Sequence, residues 1–409
     1  MSLILCCALF FPQTDNPVDA IRNPKLEVVE LPELAIEGGK YPTITQVGEV
    51  LYVSYFAIKD NIARLEQRRL IDGKFTAPTL ISASENLMVN WADTPRFAVG
   101  KDGSSIITWL ESNGHGYGIK YMFSRESGAA YTDAKWLHQD QRGAEHGFVS
   151  LVALSDGGFF AAWLQGGDFG VDGVYQTSLI GLVINADGSL REEFVLDDKV
   201  CDCCDTDAEI FSSGNVVVTF RDRNDDEERD IYYVRGNPLE PKSFSAAKSL
   251  ALDNWKPDGC PVNGPAIASF GRHTSALTYS DKKWSTPRLQ IAQSKGGGKK
   301  FGIASILSAK DTIGRADIAY LPEGIPVAAW LHTIEDEVWW VAKAVPRKGM
   351  PGPRKKISKS SIARNSGFIS LASTADGVIA CYNQGDSLRF SSIKFKQVAT
   401  DAAAVETEK

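Results

Sequence analysis

No apolar run in this sequence is long enough to cross a bilayer: the N-terminal stretch from Leu3 to Phe11 falls well short of the ~20 residues that a spanning helix needs. Positive charge is in deficit too. The 44 Lys and Arg face 51 Asp and Glu, a formal net charge of −7, so no overall basic field exists to hold nucleic acid or an anionic membrane. A convincing 3.6-residue apolar period is also missing, which removes amphipathic helices as the main element. What is present is ordinary for a folded chain of 409 residues: 43% hydrophobic, 10% aromatic and 23% charged, a balance that excludes a disordered or collagen-like protein.

Residues 1–16 read as a secretory leader. Leu3 to Phe11 has the length of a leader core, although no Lys or Arg precedes it and no clean small-x-small cleavage site follows. The expectation is therefore an exported protein, periplasmic or extracellular; the competing reading is a hydrophobic N-terminal strand. Two of the seven cysteines, Cys6 and Cys7, fall in this stretch. The mature chain keeps five, so at least one thiol is left over if the others pair.

A repeat accounts for most of the chain. A turn glycine is followed five to eight residues later by an aromatic that ends a short β-rich run, as Gly103 leads to Ile106-Ile107-Thr108-Trp109. The aromatics are Tyr55, Trp109, Trp163, Phe220, Tyr279, Trp330 and Tyr382, at intervals of 54, 54, 57, 59, 51 and 52 residues. Each interval has room for four short antiparallel strands and is too short for a domain, so each unit reads as a propeller blade. The expected fold is an all-β, seven-bladed propeller over residues 26–397, with six blades as the alternative. The orphan strand Leu26 to Leu31 would complete the last blade and remove a loose sheet edge. Residues 398–409, rich in Ala and Glu, read as a disordered tail.

In a blade, the loop before the innermost strand and the loop after the second strand open on the same face. Stepping back 15 to 17 residues from each aromatic reaches Lys40, Asp93, His146, Cys204, Asn263, Arg315 and Asn365, all polar or metal-capable. They are expected to ring the mouth of the central channel, with Trp91, Glu145, Asp317 and Arg364 beside them. The loops after the second strands add His115, Gln165, Arg221-Asp222-Arg223, Asp281, His332 and Asn383. The bland alternative is that channel mouths are wet and polar residues there merely solvate it.

The densest sulfur signal is Cys201-x-Cys203-Cys204, joined by Cys260 at the start of the next unit. With His146 these thiols offer a site for copper or zinc, though no standard zinc spacing is matched. A disulfide between adjacent blades and a free reactive thiol remain open alternatives. Cys381, inside a strand, reads as a buried apolar residue. Asp93, Glu145, His146 and Asp317 are the catalytic candidates, offering two groups to flank a sugar bond or one base for elimination from a uronic acid. Trp91, His115, Arg221, Asp222, Arg223, Asn263, Arg315 and Arg364 are the ligand-binding candidates, since guanidinium groups grip carboxylates in pairs of hydrogen bonds. The run Arg221 to Asp230 begins like a calcium loop but has Glu227 where glycine is required and Tyr233 where the closing glutamate belongs, so its tip reads as a solvated hairpin.

Two segments, Ser124 to Tyr131 and Ser294 to Phe301, resemble the Asp-box S-x-D-x-G-x-x-W, with Glu126 and Gly296 where the motif has Asp. The chain thus resembles the sialidase-like, Asp-box propeller superfamily, and Glu145 to Leu151, Cys201 to Cys204 and Gly259 to Pro265 look like phrases of its bacterial exported members. The resemblance implies a monomer that binds an acidic glycan at the channel mouth, with or without hydrolysing it. Arg221, Arg315 and Arg364 would then take the place of a sialidase's three arginines, and Asp93 that of its acid. Seven-bladed polysaccharide lyases that use His and Tyr on uronic-acid glycans are a second resemblance, by architecture. Two further alternatives are a non-hydrolytic metal or redox propeller and an interaction scaffold without chemistry.

Overall fold

The computed structural model describes residues 24–396 except 127–129, 141–143, 170–174, 282–285 and 348–349. The stretches read as a leader and a tail, and part of the first Asp-box-like segment, lie outside the described residues. Seven antiparallel sheets follow one another around a ring, and in six of them the innermost strand comes first in sequence. The innermost strands are Gly39–Val47, Arg96–Val99, His146–Ala153, Asp207–Ile210, Ala266–Phe270, Thr312–Tyr320 and Ser370–Thr374. No α-helix occurs among the described residues, only three short 3-10 turns, and no helix is long and apolar enough to cross a membrane.

The ring closes as expected. The strand Lys25–Glu30 pairs antiparallel with Ser387–Lys396, the third strand of the seventh blade, with Leu26 opposite Phe395 and Val28 opposite Ile393. A two-residue strand, Ile36–Glu37, pairs with the other end of Ser387–Lys396. The two ends of the described chain therefore share one sheet, and opening the ring would require breaking that ladder. Leu26 is 2% exposed and lies in a cluster with Ala329, Trp340 and Tyr382 of the last two blades.

The phased aromatics lie on the second strand of each blade and all are buried. Most pack backwards onto the preceding blade: Trp109 against Tyr52 and Phe56, Trp163 against Ile106 and Ile119, Phe220 against Phe160 and Leu179, Trp330 against Leu277 and Ile291. A large ring fills the wedge between two splayed sheets, which is why the aromatic recurs once per blade. Cys381 is buried in the seam between the seventh and first blades, near Tyr55 and Phe390.

The second Asp-box-like segment, Ser294 to Phe301, makes the turn between the third and fourth strands of the fifth blade. Gly298 sits there at φ +69°, and a Cβ would lie 2.4 Å from Val217 Cγ2 of the neighbouring blade, so only glycine fits. Phe301 packs edge-on against Tyr233 at 4.9 Å. The basic segment ending in Lys355–Lys359 supplies the outermost strand of the sixth blade.

Leu26→Ala should destabilise the native state by about 2–4 kcal/mol, because it empties a filled seam at the ring closure. Chemical denaturation checks this. An unchanged midpoint would mean that the closing strand contributes little.

Candidate functional site

Most of the positions reached by counting back from the aromatics are buried rather than open at a rim. Asp93 is 4% exposed, His146 0%, Cys204 1%, Asn263 9% and Arg315 8%. The polar groups of Asp93, Asn263 and Arg315 are spent on neighbouring blades. Thr43 Oγ1 bonds Thr94 Oγ1 at 2.9 Å, linking blades one and two. Asp93 accepts the Phe148 N–H at 2.6 Å, linking two and three, and Thr206 donates to the Phe148 carbonyl at 2.7 Å, linking three and four. Arg221 donates to the Asn263 carbonyl at 2.5 Å, and Asn263 Oδ1 accepts the Arg315 N–H at 2.7 Å. Arg315 donates to Ala363 O and Ser366 Oγ at 2.9 and 2.8 Å, and Asn383 Oδ1 accepts the Tyr41 N–H at 2.9 Å. These bonds run through all seven blades and return to the first.

Three of the linked amides belong to residues in the left-handed region: Tyr41 at φ 52°, Phe148 at 56° and Arg315 at 53°. Each sits where its innermost strand has an irregular register. Such a residue turns its N–H out of its own ladder, and the side-chain oxygen of an adjacent blade takes it. Left unpaired, each buried amide would cost about 1–3 kcal/mol.

This arrangement corrects the ligand-binding expectation for two arginines. Arg221, 1% exposed, also donates to Cys204 Sγ and to the Arg229 and Tyr279 carbonyls, and its guanidinium lies 4.8 Å from the Trp255 ring centre. Arg315 directs its guanidinium at Ile362 O, Ala363 O and Ser366 Oγ and covers the Trp91 ring at 4.6 Å. Burial and the nearby Arg364 lower its pKa to about 10. Trp91 enters from the loop before the second blade, yet it stacks on Phe368 of the seventh blade's entry loop at 5.8 Å. It therefore ties the entry loops of the second and seventh blades together, with Arg315 of the sixth blade against its face.

The channel inside the ring is polar. A small cavity of about 60 Å³ is lined by Thr43, Arg96, Asp205, Asp207, Asp317 and Ser370, and continues into one of about 320 Å³ that adds Glu209, Ser269 and Ser373. Arg96 forms an ion pair with Asp205 and donates to Val149 O at 3.0 Å. Asp207 and Asp317 accept amides of the next blade, from Ile267 at 2.7 Å and Leu371 at 2.6 Å, and Glu209 accepts the Ser269 hydroxyl at 2.7 Å. Burial pushes Asp93 and Glu209 up to about 7 and Asp317 to about 6; Asp205 adds repulsion at Asp93 and Asp317, and Asp207 is raised well above the usual range. Asp93 and Asp317, expected as catalysts, are thus seam and channel groups. Sequence reasoning passed over Asp207, Glu209 and Arg96. The alternation Asp205-x-Asp207-x-Glu209 was the available signal, because period two places Asp207 and Glu209 on one face of the strand Asp207–Ile210, with Asp205 just before it.

The sulfur group lies at the junction of the third, fourth and fifth blades. Cys203 and Cys260 form a disulfide, while Cys201 and Cys204 are reduced and buried. The sulfurs of Cys201, Cys203 and Cys204 all lie within 4.8 Å of one another, close enough for one soft ion such as copper or zinc to reach them once Cys203 is reduced. His146 is not part of this group. Its ring stacks on His138 at 4.1 Å. Arg229 points a guanidinium nitrogen at Cys201 Sγ, 3.7 Å away, and is braced by Glu227, which also holds Arg223 at 2.8 Å. The Cys204 hydrogen bond, helped by Arg221 and Arg229, brings the Cys201 thiol down to about 6, whereas burial pushes Cys204 up.

Solvent reaches a different subset. Glu145, His115 and Arg364 are exposed, and Asp222 is half-buried, its carboxyl raised to about 6 by burial and by Asp197. The Tyr117 hydroxyl donates to Glu145 Oε2 at 3.3 Å, two residues along the chain from His115. Tyr117 was not among the expected residues.

No protein-family model matches this sequence, and no curated protein matches it. Solved structures do. An ulvan lyase of polysaccharide lyase family PL25, bound to -[GlcA(1-4)Rha3S]-, matches at 12% identity over 88% of this chain and 95% of that one, with a TM-score of 0.55. A protein of unknown function from Dyadobacter fermentans matches at 11% identity over 76% of this chain and 96% of its own, with a TM-score of 0.52. Both are likenesses of fold. The chain is a seven-bladed β-propeller of the architecture found in the lyase.

Two predictions follow from the buried groups. Arg221→Ala leaves three carbonyls and a sulfur without their donor and should lower stability by about 3–5 kcal/mol, measured by urea unfolding. The carboxyls of Asp93, Glu209 and Asp317 bind protons more tightly folded than unfolded, where they titrate near ~4. Their contribution is therefore full at low pH and lost as pH rises through about 6 to 7. The urea midpoint should fall between about pH 5 and pH 8, and Glu209→Gln should flatten that fall; a midpoint that rises over this range would contradict the assignment.

Proposed function

We propose that this propeller acts on a uronate-bearing polysaccharide at the face that carries Tyr117, Glu145 and His115, by elimination rather than hydrolysis. The pair formed by the Tyr117 hydroxyl and the Glu145 carboxylate beside exposed His115 carries this reading. Elimination needs a base for the proton next to the carboxylate, an acid for the departing sugar oxygen and a group that neutralises the carboxylate. His115 suits the base, Tyr117 the acid, and exposed Arg364 is the cation left on this face by the expected trio.

A sialidase-type site has less support. Two of the three arginines it would need, Arg221 and Arg315, have their donors committed to protein acceptors, and Asp93 is engaged by the Phe148 amide. The fold likeness to a lyase bound to a glucuronate-containing glycan agrees with the elimination reading. The Cys203–Cys260 disulfide fits an oxidising compartment, and so an exported protein. The proposal keeps the protein a monomer.

Incubation with a panel of uronate polysaccharides, sulfated and unsulfated, should generate the ultraviolet absorbance of an unsaturated uronate. Tyr117→Phe and His115→Ala should each lower turnover by about 100-fold or more. New reducing ends without that chromophore would establish hydrolysis instead, and neither turnover nor binding across the panel would reject the proposal.

A further inference from the structure

The sulfur group has a geometry that the glycan reading does not use. Cys201 Sγ lies 3.7 Å from Cys203 Sγ, the contact distance of two sulfurs, while Cys203 is bonded to Cys260. Of these residues Cys201 is buried, Cys203 half-buried and Cys260 exposed. Cys201 is also provided for: Arg229 donates towards its sulfur, Glu227 fixes that guanidinium at 3.0 Å, and the Cys201 N–H is anchored on Arg221 O at 2.9 Å. A merely structural disulfide between two blades needs no third sulfur in contact with it and no guanidinium group directed at that sulfur.

We propose that Cys201, Cys203 and Cys260 form a thiol–disulfide exchange centre. The Cys201 sulfur attacks the Cys203 sulfur, a Cys201–Cys203 bond forms and the Cys203–Cys260 bond breaks. Cys260 leaves as a thiolate and takes up the proton that Cys201 gave up. One disulfide replaces another, so no external oxidant or reductant is consumed. The exchange moves the reactive sulfur from a buried position to an exposed one, where it can meet the thiol or disulfide of a small molecule. Cys204, with its sulfur bonded by Arg221 at 3.3 Å, stays inside as a neighbour that helps hold Cys201 in place.

The test uses the full-length oxidised protein under native conditions with iodoacetamide as the probe, followed by non-reducing peptide mapping. The expected result is label on Cys260 together with a Cys201–Cys203 cross-linked peptide. Cys201→Ser should lower the rate of Cys260 labelling at least about tenfold, because no internal attacker remains. Label on Cys201 with the Cys203–Cys260 bridge intact would overturn the proposal, and so would the absence of Cys260 label or Cys260 label undiminished in Cys201→Ser. The wild-type map decides the matter even if the variant fails to fold. Glycan turnover plays no part in this readout, so the two proposals stand or fall separately.

Discussion

The closed circuit of hydrogen bonds that passes from blade to blade is the constraint on which the rest of the structure depends. A propeller sheet buries its faces against two neighbours, but apolar packing alone is non-directional and does not fix how far one blade is rotated against the next. The circuit does. Asp93, Asn263 and Asn383 each take an amide that a neighbouring strand has turned out of its own ladder, at Phe148, Arg315 and Tyr41. The left-handed backbone at these three residues, and the side-chain oxygens that satisfy it, make one device repeated at three seams. Arg221 and Arg315 serve the same end by donating across seams to backbone carbonyls.

Once these groups are committed inward, the remaining features follow. Trp91 stacks on Phe368 between the entry loops of the second and seventh blades. The channel carboxylates Asp207, Glu209 and Asp317 each bond to the next blade and are raised by burial, with the paired guanidinium of Arg96 among them. Outside the circuit lie Tyr117, Glu145 and His115, and the sulfurs of Cys201, Cys203 and Cys260. A polysaccharide lyase is among the proteins that share this fold, which by itself does not fix a function.

The blade count and the closing strand were legible in the sequence because they rest on bulk and phase. A buried aromatic such as Trp163 or Trp330 must recur once per wedge, and an orphan strand such as Leu26 to Leu31 needs a partner. Counting back from those aromatics reached Asp93, Asn263 and Arg315, which bond across the seams between blades. It did not reveal their role, because a blade seam and a binding rim both call for Asp, Asn and Arg; only geometry shows that Arg221 spends its donors on the Arg229, Asn263 and Tyr279 carbonyls and on a sulfur. The disulfide partner of Cys260 was one of several open choices, since three sulfurs lie within four residues of chain. Tyr117 escaped notice because a strand-end tyrosine looks like any other until Glu145 is brought beside it from the next blade.

Native-state hydrogen exchange of the Tyr41, Phe148 and Arg315 amides tests this account most directly. If the circuit holds the blades in register, these amides, though outside regular ladders, should exchange only through global unfolding, with protection matching that of the central strands. Exchange as fast as that of an exposed turn amide would show that the blades are held together by packing alone, and that the polar residues at the seams are free for another purpose.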